Sequence, residues 1–253
     1  MNLSEHTLRI RALRAIDEPD TCAEFLREHR KVLEDFGISH VNTNNETWTT
    51  DHHTYLVVAE SPTEGMVGGL RVELCRPGRA LPMVDALYPL DSRIREAIAR
   101  YEPSGCGEIC GLWVANRFAN RGLPTLLGYA AVAIANQIDA KALVCLIAHY
   151  TLRHALRVGF TVLDEVGSKG TFSYPIPSIT AIALVMPDTL TLADSLPRHR
   201  EPVLSLRLRP NQLRTEKLGE SLFNVTYSLK LPCKVIDMAL YRQTEEQQLR
   251  KPA

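Results

Sequence analysis

The chain has no long hydrophobic run. Its best candidate, Ala140 to Ala148, is interrupted by Lys141 and closed by His149, well short of the roughly 18 apolar residues a membrane span needs. It also has no excess of either charge. Its 29 Lys and Arg balance 29 Asp and Glu, so no global field draws it to nucleic acid or to a membrane surface, and any anion site must be local. The six cysteines, Cys22, Cys75, Cys106, Cys110, Cys145 and Cys233, lack the dense spacing of a secreted disulfide scaffold, which points to reduced thiols in a cytoplasm. Met1 to Arg14 mixes charges into its apolar residues and offers no signal-peptide core, so export is not expected. No internal repeat or low-complexity segment is visible.

The chain does have the means to build a core: 253 residues, 45% of them hydrophobic, enough for one large or two small domains. Leu8 to Ile16 reads as a first strand. Asp17-Glu18-Pro19-Asp20 then supplies a cap and a first-turn proline for a helix. Its apolar positions Cys22, Phe25, Leu26, His29, Val32, Leu33 and Phe36 recur at three and four, and Gly37 stands where a left-handed terminating residue belongs. Thr54 to Glu60 and Val67 to Leu74 form an antiparallel hairpin about the turn Ser61 to Gly65. A further short β-like run, Leu81 to Leu87, precedes a charged helix from Ser92 to Tyr101.

Glu108 to Val114 is then a strand. Arg121 to Asp139 is a helix rich in small residues, Ala142 to Ile147 an apolar strand, and Thr151 to Val158 a short helix ending at Gly159-Phe160. This order predicts an α+β fold with a mixed central sheet flanked by helices. The domain boundary is set at 188, so that residues 189–253 form a C-terminal β-containing extension packing on the main domain or on a partner subunit. Within it Leu204, Leu206 and Leu208 alternate with Ser205, Arg207 and Arg209, the pattern of a strand with a solvated outer face, and Val225 to Leu231 is another β-like run. Arginines interleaved in this way do not suggest nucleic-acid binding.

The most informative segment is Gly111 to Leu127. A strand runs into a basic turn and then into a helix, so the first backbone N–H groups of the helix and its dipole converge on one spot suited to a phosphate. Arg117 and Arg121 add charge-assisted hydrogen bonds, and Gly122 lets the backbone come close. Composition alone also allows an ordinary strand-to-helix turn.

Leu112-Trp113-Val114 followed by Arg121-Gly122-Leu123 resembles the acetyl-coenzyme A signature of the GNAT superfamily, with Ala119 and Pro124 where that signature usually carries Gln or Arg and Gly or Ala. Arg157-Val158-Gly159-Phe160 resembles a second GNAT element. The upstream half is similar to a narrower branch, the acyl-homoserine lactone synthases and N-acyl amino acid synthases. The residues that carry this likeness are Asp51 with Tyr55-Leu56-Val57, Gly68-Gly69-Leu70-Arg71, Leu81-Pro82, Glu108 six residues before Val114, and Tyr174-Pro175. Gly111 replaces an arginine of the lactone synthases.

The resemblance implies an acyltransferase that moves an acyl group from an acyl-coenzyme A or acyl-carrier-protein thioester to a small-molecule amine. The branch favours a medium or long chain and an apolar pocket lined from Val67 to Leu87 and from the Ala142 to Ile147 strand. It places the donor between the Glu108 to Val114 and Ala142 to Ile147 strands, against Val114, Arg117, Arg121, Gly122, Leu123, Pro124 and Thr125. Backbone N–H groups of Leu112 to Val114 are the expected oxyanion donors. Glu108 is the expected general base, its pKa raised by partial burial. Asp51 and Arg71 are the candidates for holding the acceptor, Arg71 by its carboxylate.

Ala155 stands where GNAT enzymes carry a tyrosine acid, which leaves Tyr150 and His154 as candidate proton donors. Cys106 and Cys110 with His52 and His53 lack the second pair of a zinc site, and no metal is expected. Two other readings stay open: a short-chain acetyl-coenzyme A N-acetyltransferase, and a non-catalytic GNAT-like module that binds an acyl thioester. Acyl carrier protein and a second copy of the chain are the expected macromolecular partners.

Overall fold

Amphipathic spacing, proline starts and glycine stops account for the main elements of the chain, while the strands Thr161–Val162, Thr171–Ser173 and Asn211–Leu218 are not anticipated and two runs take another form than periodicity suggests. The computed structural model describes residues 4–35, 37–38, 46–218 and 220–231. Its strands are β1 (Ser4–Arg14), β2 (Thr54–Ser61), β3 (Gly65–Leu74), β4 (Cys106–Val114), β5 (Ala142–Ala148), β6 (Thr161–Val162), β7 (Thr171–Ser173), β8 (Thr180–Met186), β9 (Asn211–Leu218) and β10 (Ser221–Ser228). Its helices are α1 (Pro19–Asp35), α2 (Pro82–Leu87), α3 (Arg93–Ala99), α4 (Leu123–Ile134), α5 (Leu152–Val158) and α6 (Pro197–Leu208).

All ten strands join one sheet in the order β6-β8-β5-β4-β3-β2-β1-β10-β9, with β7 also on β8. The pairs β4–β5 and β1–β10 are parallel, and the rest are antiparallel. The α+β class and the mixed central sheet read from the sequence hold. The hairpin β9–β10 continues the sheet beyond β1, and α6 packs on α4.

Helix α1 buries Cys22, Phe25, Leu26 and His29. It closes with Gly37 at φ +67°, whose N–H donates to the Glu34 carbonyl while the Ile38 N–H donates to that of Leu33, a Schellman stop. Phe36 lies outside the described residues, as does Cys233.

The first exception is Leu81 to Leu87, which is helical from Pro82. Proline pre-sets the first turn, and Met83, Val84 and Leu87 face inward at helical spacing. The second is the Leu204–Leu208 alternation, which belongs to the last turns of α6. Pro197 opens this helix. On a 100° step, residues two apart diverge by 200°, so Leu206 is buried while Leu208 is 83% exposed. Arg207 is accordingly no outer-face strand residue, and its guanidinium donates to the Val132 and Leu190 carbonyls at 3.0 Å each.

The sheet has two unlike faces. One is covered by α4 and α6 over a continuous apolar core that includes Leu70, Val72, Leu126, Leu127, Leu143 and Leu206. The opposite face carries two separate apolar clusters. Phe25, Trp48 and Trp113 belong to the one under α1, and Met83, Ile94, Val144 and Val185 to the one under α2 and α3. Charged side chains occupy the seam between these clusters.

Candidate active site

Strand β4 is paired on both sides only along its first half. Its parallel register with β5 runs Cys106↔Ala142 to Ile109↔Cys145 and stops there. On the β3 side the register shifts between Arg71↔Cys110 and Gly69↔Trp113. Two residues of β4, Gly111 and Leu112, therefore stand opposite Leu70 alone, and Gly111 has φ +58°. This is a β-bulge whose first residue is a left-handed glycine, a conformation that costs other residues energy. A bulge bends its strand and sharpens the twist, so β4 leaves β5 at the point where the bulge begins. The parted ends are the C-terminal ends of both strands. Leu112 is 44% exposed on the bulge, and Val114 ends the strand opposite Gly68.

The crossover from β4 to α4 returns the chain to this same end. Gly122 caps α4 at φ +86°, with Leu123 and Pro124 in the first turn. Pro124 has no N–H to offer, and the Thr125 N–H donates to the Gly122 carbonyl, which thins the donor set for a phosphate. Arg117 pairs with Glu64 on the β2–β3 turn rather than standing over the cradle. Arg121 is half-buried beside it.

Below the bulge, the register that sets Glu73 against Glu108 and Arg71 against Cys110 puts all four side chains on the seam face. Arg71 is 1% exposed and Glu108 2%. Arg71 Nη2 lies 3.0 Å from Glu73 Oε1 and 3.5 Å from Cys110 Sγ, and the Cys110 thiol donates to Glu73 Oε1 at 3.6 Å. Glu108 accepts the Met83 N–H at 2.7 Å. Burial outweighs that hydrogen bond, and with Glu73 nearby it pushes the Glu108 carboxyl up to about 8. Burial likewise holds the Cys110 thiol well above its ordinary value, so it stays protonated.

Asp51 reaches neither Glu108 nor Arg71. It holds two arginines of the loop after β3, Arg76 at 2.7 Å and Arg79, and Arg79 also reaches Glu73 at 3.4 Å. The seam therefore brings Arg71, Arg76 and Arg79 together with Asp51 and Glu73, and Glu108 is largely neutral below pH 8.

Above Arg71 sits an aromatic cluster. Phe25 meets the rings of His29, Trp48 and Trp113 edge-on at 5.7, 5.6 and 5.9 Å, and the Arg71 guanidinium carbon lies 4.8 Å from the Trp48 ring. Gly69 makes room for it, since a Cβ there would stand 2.9 Å from Phe25. Trp48 Nε1, Trp113 Nε1 and His29 Nδ1 are buried with no hydrogen-bond partner among the described residues. A buried polar group left unsatisfied costs about 1–3 kcal/mol, so these nitrogens are candidates for contact with a ligand. Burial, and then Arg71, hold His29 down at about 4, which keeps it neutral.

The two candidate proton donors lie past the end of β5. Tyr150 is 68% exposed, and His154 lies on the outer side of α5, below its ordinary value through partial burial and then Arg153 and Arg157. Arg71, Glu108 and Asp51 were legible as candidates from the sequence but Glu73, Arg79 and Trp48 were not, while Trp113 stood out only for its backbone and His29 only as a core position. The signal that was present is the matching i, i+2 placement of Arg71 and Glu73 on β3 and of Glu108 and Cys110 on β4. Among the described residues no group of three His, Cys, Asp or Glu side chains is placed to hold a metal ion, and no helix is long and apolar enough to cross a membrane.

No protein-family model matches the chain, and no curated protein matches it in sequence. Solved structures do match in fold. An N-acyl amino acid synthase from uncultured soil microbes, FeeM, superposes with a TM-score of 0.57 at 14% identity, over 77% of this chain and 97% of its own. The CoA-dependent acyl-homoserine lactone synthase BjaI gives 0.54 at 13%, over 93% and 98%. An acyl-CoA N-acyltransferase from Pseudomonas aeruginosa gives 0.50 at 13%, over 70% and 98%. At these identities the likeness is one of fold. The chain has a GNAT-like fold, as its motifs implied, and the lactone synthase and N-acyl amino acid synthase are among the structures it resembles.

Proposed function

We propose that the protein is an N-acyltransferase that moves a medium or long acyl chain from a pantetheine thioester to an amine that carries a carboxylate. The observation that supports this best is the parting of β4 from β5 at the Gly111 bulge, next to the buried seam of Arg71, Glu73 and Glu108. The parted strands offer an extended slot for a pantetheine arm. Backbone N–H groups of Leu112 and Val114 would line that slot, where they can stabilise the oxyanion as the amine attacks the thioester carbon.

Arg71, supported by Trp48 and Trp113, is suited to the acceptor's carboxylate. Glu108 takes the proton from the amine, through water, because in this structure its side chain is enclosed. A carboxyl with a pKa of about 8 is a far stronger base than an exposed glutamate, and about a tenth of it is ionised at pH 7. The departing thiolate is a fair leaving group, with an ordinary thiol pKa of about 8.5. Tyr150 is the better source of its proton, since His154 is neutral at neutral pH. The acyl chain would run into the cluster under α2 and α3, where Met83 and Val84 lie on a helix of only six residues.

The test is mass spectrometry of the protein incubated with acyl thioesters of graded length and pooled amino acids, with Glu108→Gln as control. N-acyl amino acids formed from the longer donors and reduced in the control are the expected result. Acetylated products alone would make it a short-chain acetyltransferase. The enclosed Glu108 favours one further reading, a module that binds acyl thioesters without turnover, and tight thioester binding with no product would establish that instead.

A further inference from the structure

Asp51 touches none of the groups assigned to chemistry, yet it is buried and holds two ion pairs. It follows the turn that carries Trp48, and its Oδ1 accepts the His53 N–H at 2.9 Å, which fixes the side chain. Its Oδ2 then receives both arginines of Arg76-Pro77-Gly78-Arg79. Pro77 and Gly78, the latter at φ +80°, form a tight turn in which the Arg79 N–H donates to the Arg76 carbonyl at 3.2 Å. Arg76 and Arg79 stand opposite each other across it, so both side chains reach the same carboxylate.

This turn is held by its side chains. Cys75 is still tied to β4, its N–H donating to the Cys106 carbonyl at 2.8 Å. From Arg76 to Pro82, no backbone hydrogen bond among the described residues reaches beyond the segment itself and α2. The tethers are Arg76 and Arg79 on Asp51, and Arg79 on Glu73 at 3.4 Å. The segment leads directly into the cover of Glu108, since α2 opens at Pro82 and its Met83 N–H donates to Glu108 Oε2. A helix of six residues has no stability of its own, and it stays on Glu108 through its packing and through the tethered turn. The Arg76 and Arg79 side chains are 33% and 30% exposed, within reach of water and salt, whereas Glu108 is enclosed.

We propose that Asp51 is a positioning residue, the anchor of a gate: when Arg76 and Arg79 leave it, the turn and α2 lift together from Glu108 and admit water to its carboxyl. The gate's bearing on catalysis rests on the acyl-transfer reading, while the gate itself does not. Leu112 lies four residues beyond Glu108 on β4, roughly 13 Å at about 3.3 Å per residue, so an enclosed carboxyl exchanges no proton with the slot until water enters. Opening also acts on Glu108 in a definite direction. The carboxyl faces Arg71 and Glu73 of β3, Asp85 of α2, the thiols of Cys106 and Cys110 on its own strand and that of Cys145 on β5. Burial is the largest influence that raises it, and Asp85 adds to this. Lifting α2 removes both, and water replaces the Met83 N–H, so the carboxyl falls toward an ordinary glutamate.

The experiment compares the full chain with two variants, Asp51→Asn, which keeps an oxygen for the His53 N–H and removes the charge, and Arg76→Gln, which alters only the outer end of the tether. Amide exchange read by NMR is the first measurement. The Met83 N–H should exchange about tenfold faster in Asp51→Asn, about threefold faster in Arg76→Gln, and faster in the parent as salt rises from about 50 to about 500 mM, while Val72 and Leu143 of the paired strands stay within about twofold. The second is the acidic limb of kcat/KM against pH, which lies near 8 in the parent and should move down by about one unit or more in Asp51→Asn.

Unchanged Met83 exchange in both variants overturns the gate. Equal acceleration of Met83, Val72 and Leu143 also overturns it, because Asp51 would then simply hold the fold together. Local acceleration with an unmoved acidic limb does the same, since α2 would lift without uncovering Glu108. Exchange needs neither donor nor acceptor, so absence of product from the parent refutes the acyl-transfer reading and leaves the gate to be decided by Met83 alone.

Discussion

The two faces of one sheet are built on opposite terms. Under α4 and α6, Leu70, Val72, Leu126 and Leu127 pack into a continuous apolar layer, and stability there follows from area removed from water. Across the same strands, alternate residues Gly69, Arg71 and Glu73 of β3 and Glu108, Cys110 and Trp113 of β4 bring buried charge and unpartnered donors into the seam. Because side chains on a strand alternate, the second face can be specialised without disturbing the first. The apolar face supplies the folding energy, and the seam face spends part of it on chemistry.

The largest effect expected of any substitution follows from this contrast. Arg71→Met should destabilise the fold by about 3–5 kcal/mol, because the buried Glu73 would lose the cation paired with it at 3.0 Å, and it should abolish any acceptor-dependent activity. Leu127→Ala, on the opposite face, should cost about 2–4 kcal/mol through lost contacts and a cavity while leaving turnover of the surviving folded protein near that of the parent. Urea denaturation with activity assayed on the same samples checks both. If Leu127→Ala lost activity at constant folded fraction, or Arg71→Met kept it, the division of labour between the faces would be wrong.

A smaller effect comes from the bulge that joins the two faces. Gly111→Ala forces a Cβ onto a backbone at φ +58° and should cost about 1–2 kcal/mol. Space is not the difficulty, since the nearest side-chain atoms, His29 Cε1 and Arg71 Cζ, would lie 3.7 and 3.8 Å away. Thioester affinity measured beside stability separates strain from loss of the slot. A variant as stable as the parent would mean that the bulge is not what fixes the parting of β4 from β5.

What could be read from the sequence divides along the same line. The mixed sheet, α1 with its glycine stop and the β2–β3 hairpin were legible because periodicity reports which residues meet an apolar neighbour. The last turns of α6 were misread because Leu204, Leu206 and Leu208 imitate a strand, and only Leu206 is inside. On the seam face the same code is ambiguous. Arg71 and Glu73 alternate with Leu70 and Val72 as a solvated strand face would, and no local pattern tells that α1 and the loop carrying Arg76 and Arg79 cover them. Trp48, Trp113 and His29 are misleading in the opposite sense. Each occupies a core position, and their unpartnered nitrogens become visible only when the strands and α1 are assembled.

Glu108 makes the contrast dependent on pH. Its folded pKa of about 8 exceeds an ordinary unfolded value of about 4.3, so the folded state holds its proton more tightly. The stability it contributes is complete below the unfolded value, falls as pH rises between the two, and is gone above about 8. Glu108→Gln keeps an oxygen for the Met83 N–H and removes the titration. The parent should therefore lose up to a few kcal/mol between pH 5 and pH 8.5 that the variant does not, read as the difference in urea midpoints. Parallel curves for the two proteins would mean that Glu108 is ionised in the folded state, and its role as a base with a raised pKa would fall.

The smallest expected effect on stability bears most directly on why the seam is polar. His29 is buried and neutral, and its Nδ1 has no partner among the described residues. Replacing it with leucine exchanges an unsatisfied polar atom for apolar contact with Phe25, a change that mutational experience places near neutral or slightly favourable, within about 1 kcal/mol. If the imidazole and the two indole N–H groups are held for an acceptor, His29→Leu should leave the urea midpoint unchanged or raise it, while the KM for the acceptor amine rises several-fold and that for the thioester stays constant. A structural residue would behave the other way round, with lost stability and unchanged kinetics. That result would make the aromatic cluster ordinary core and confine recognition of the acceptor to Arg71.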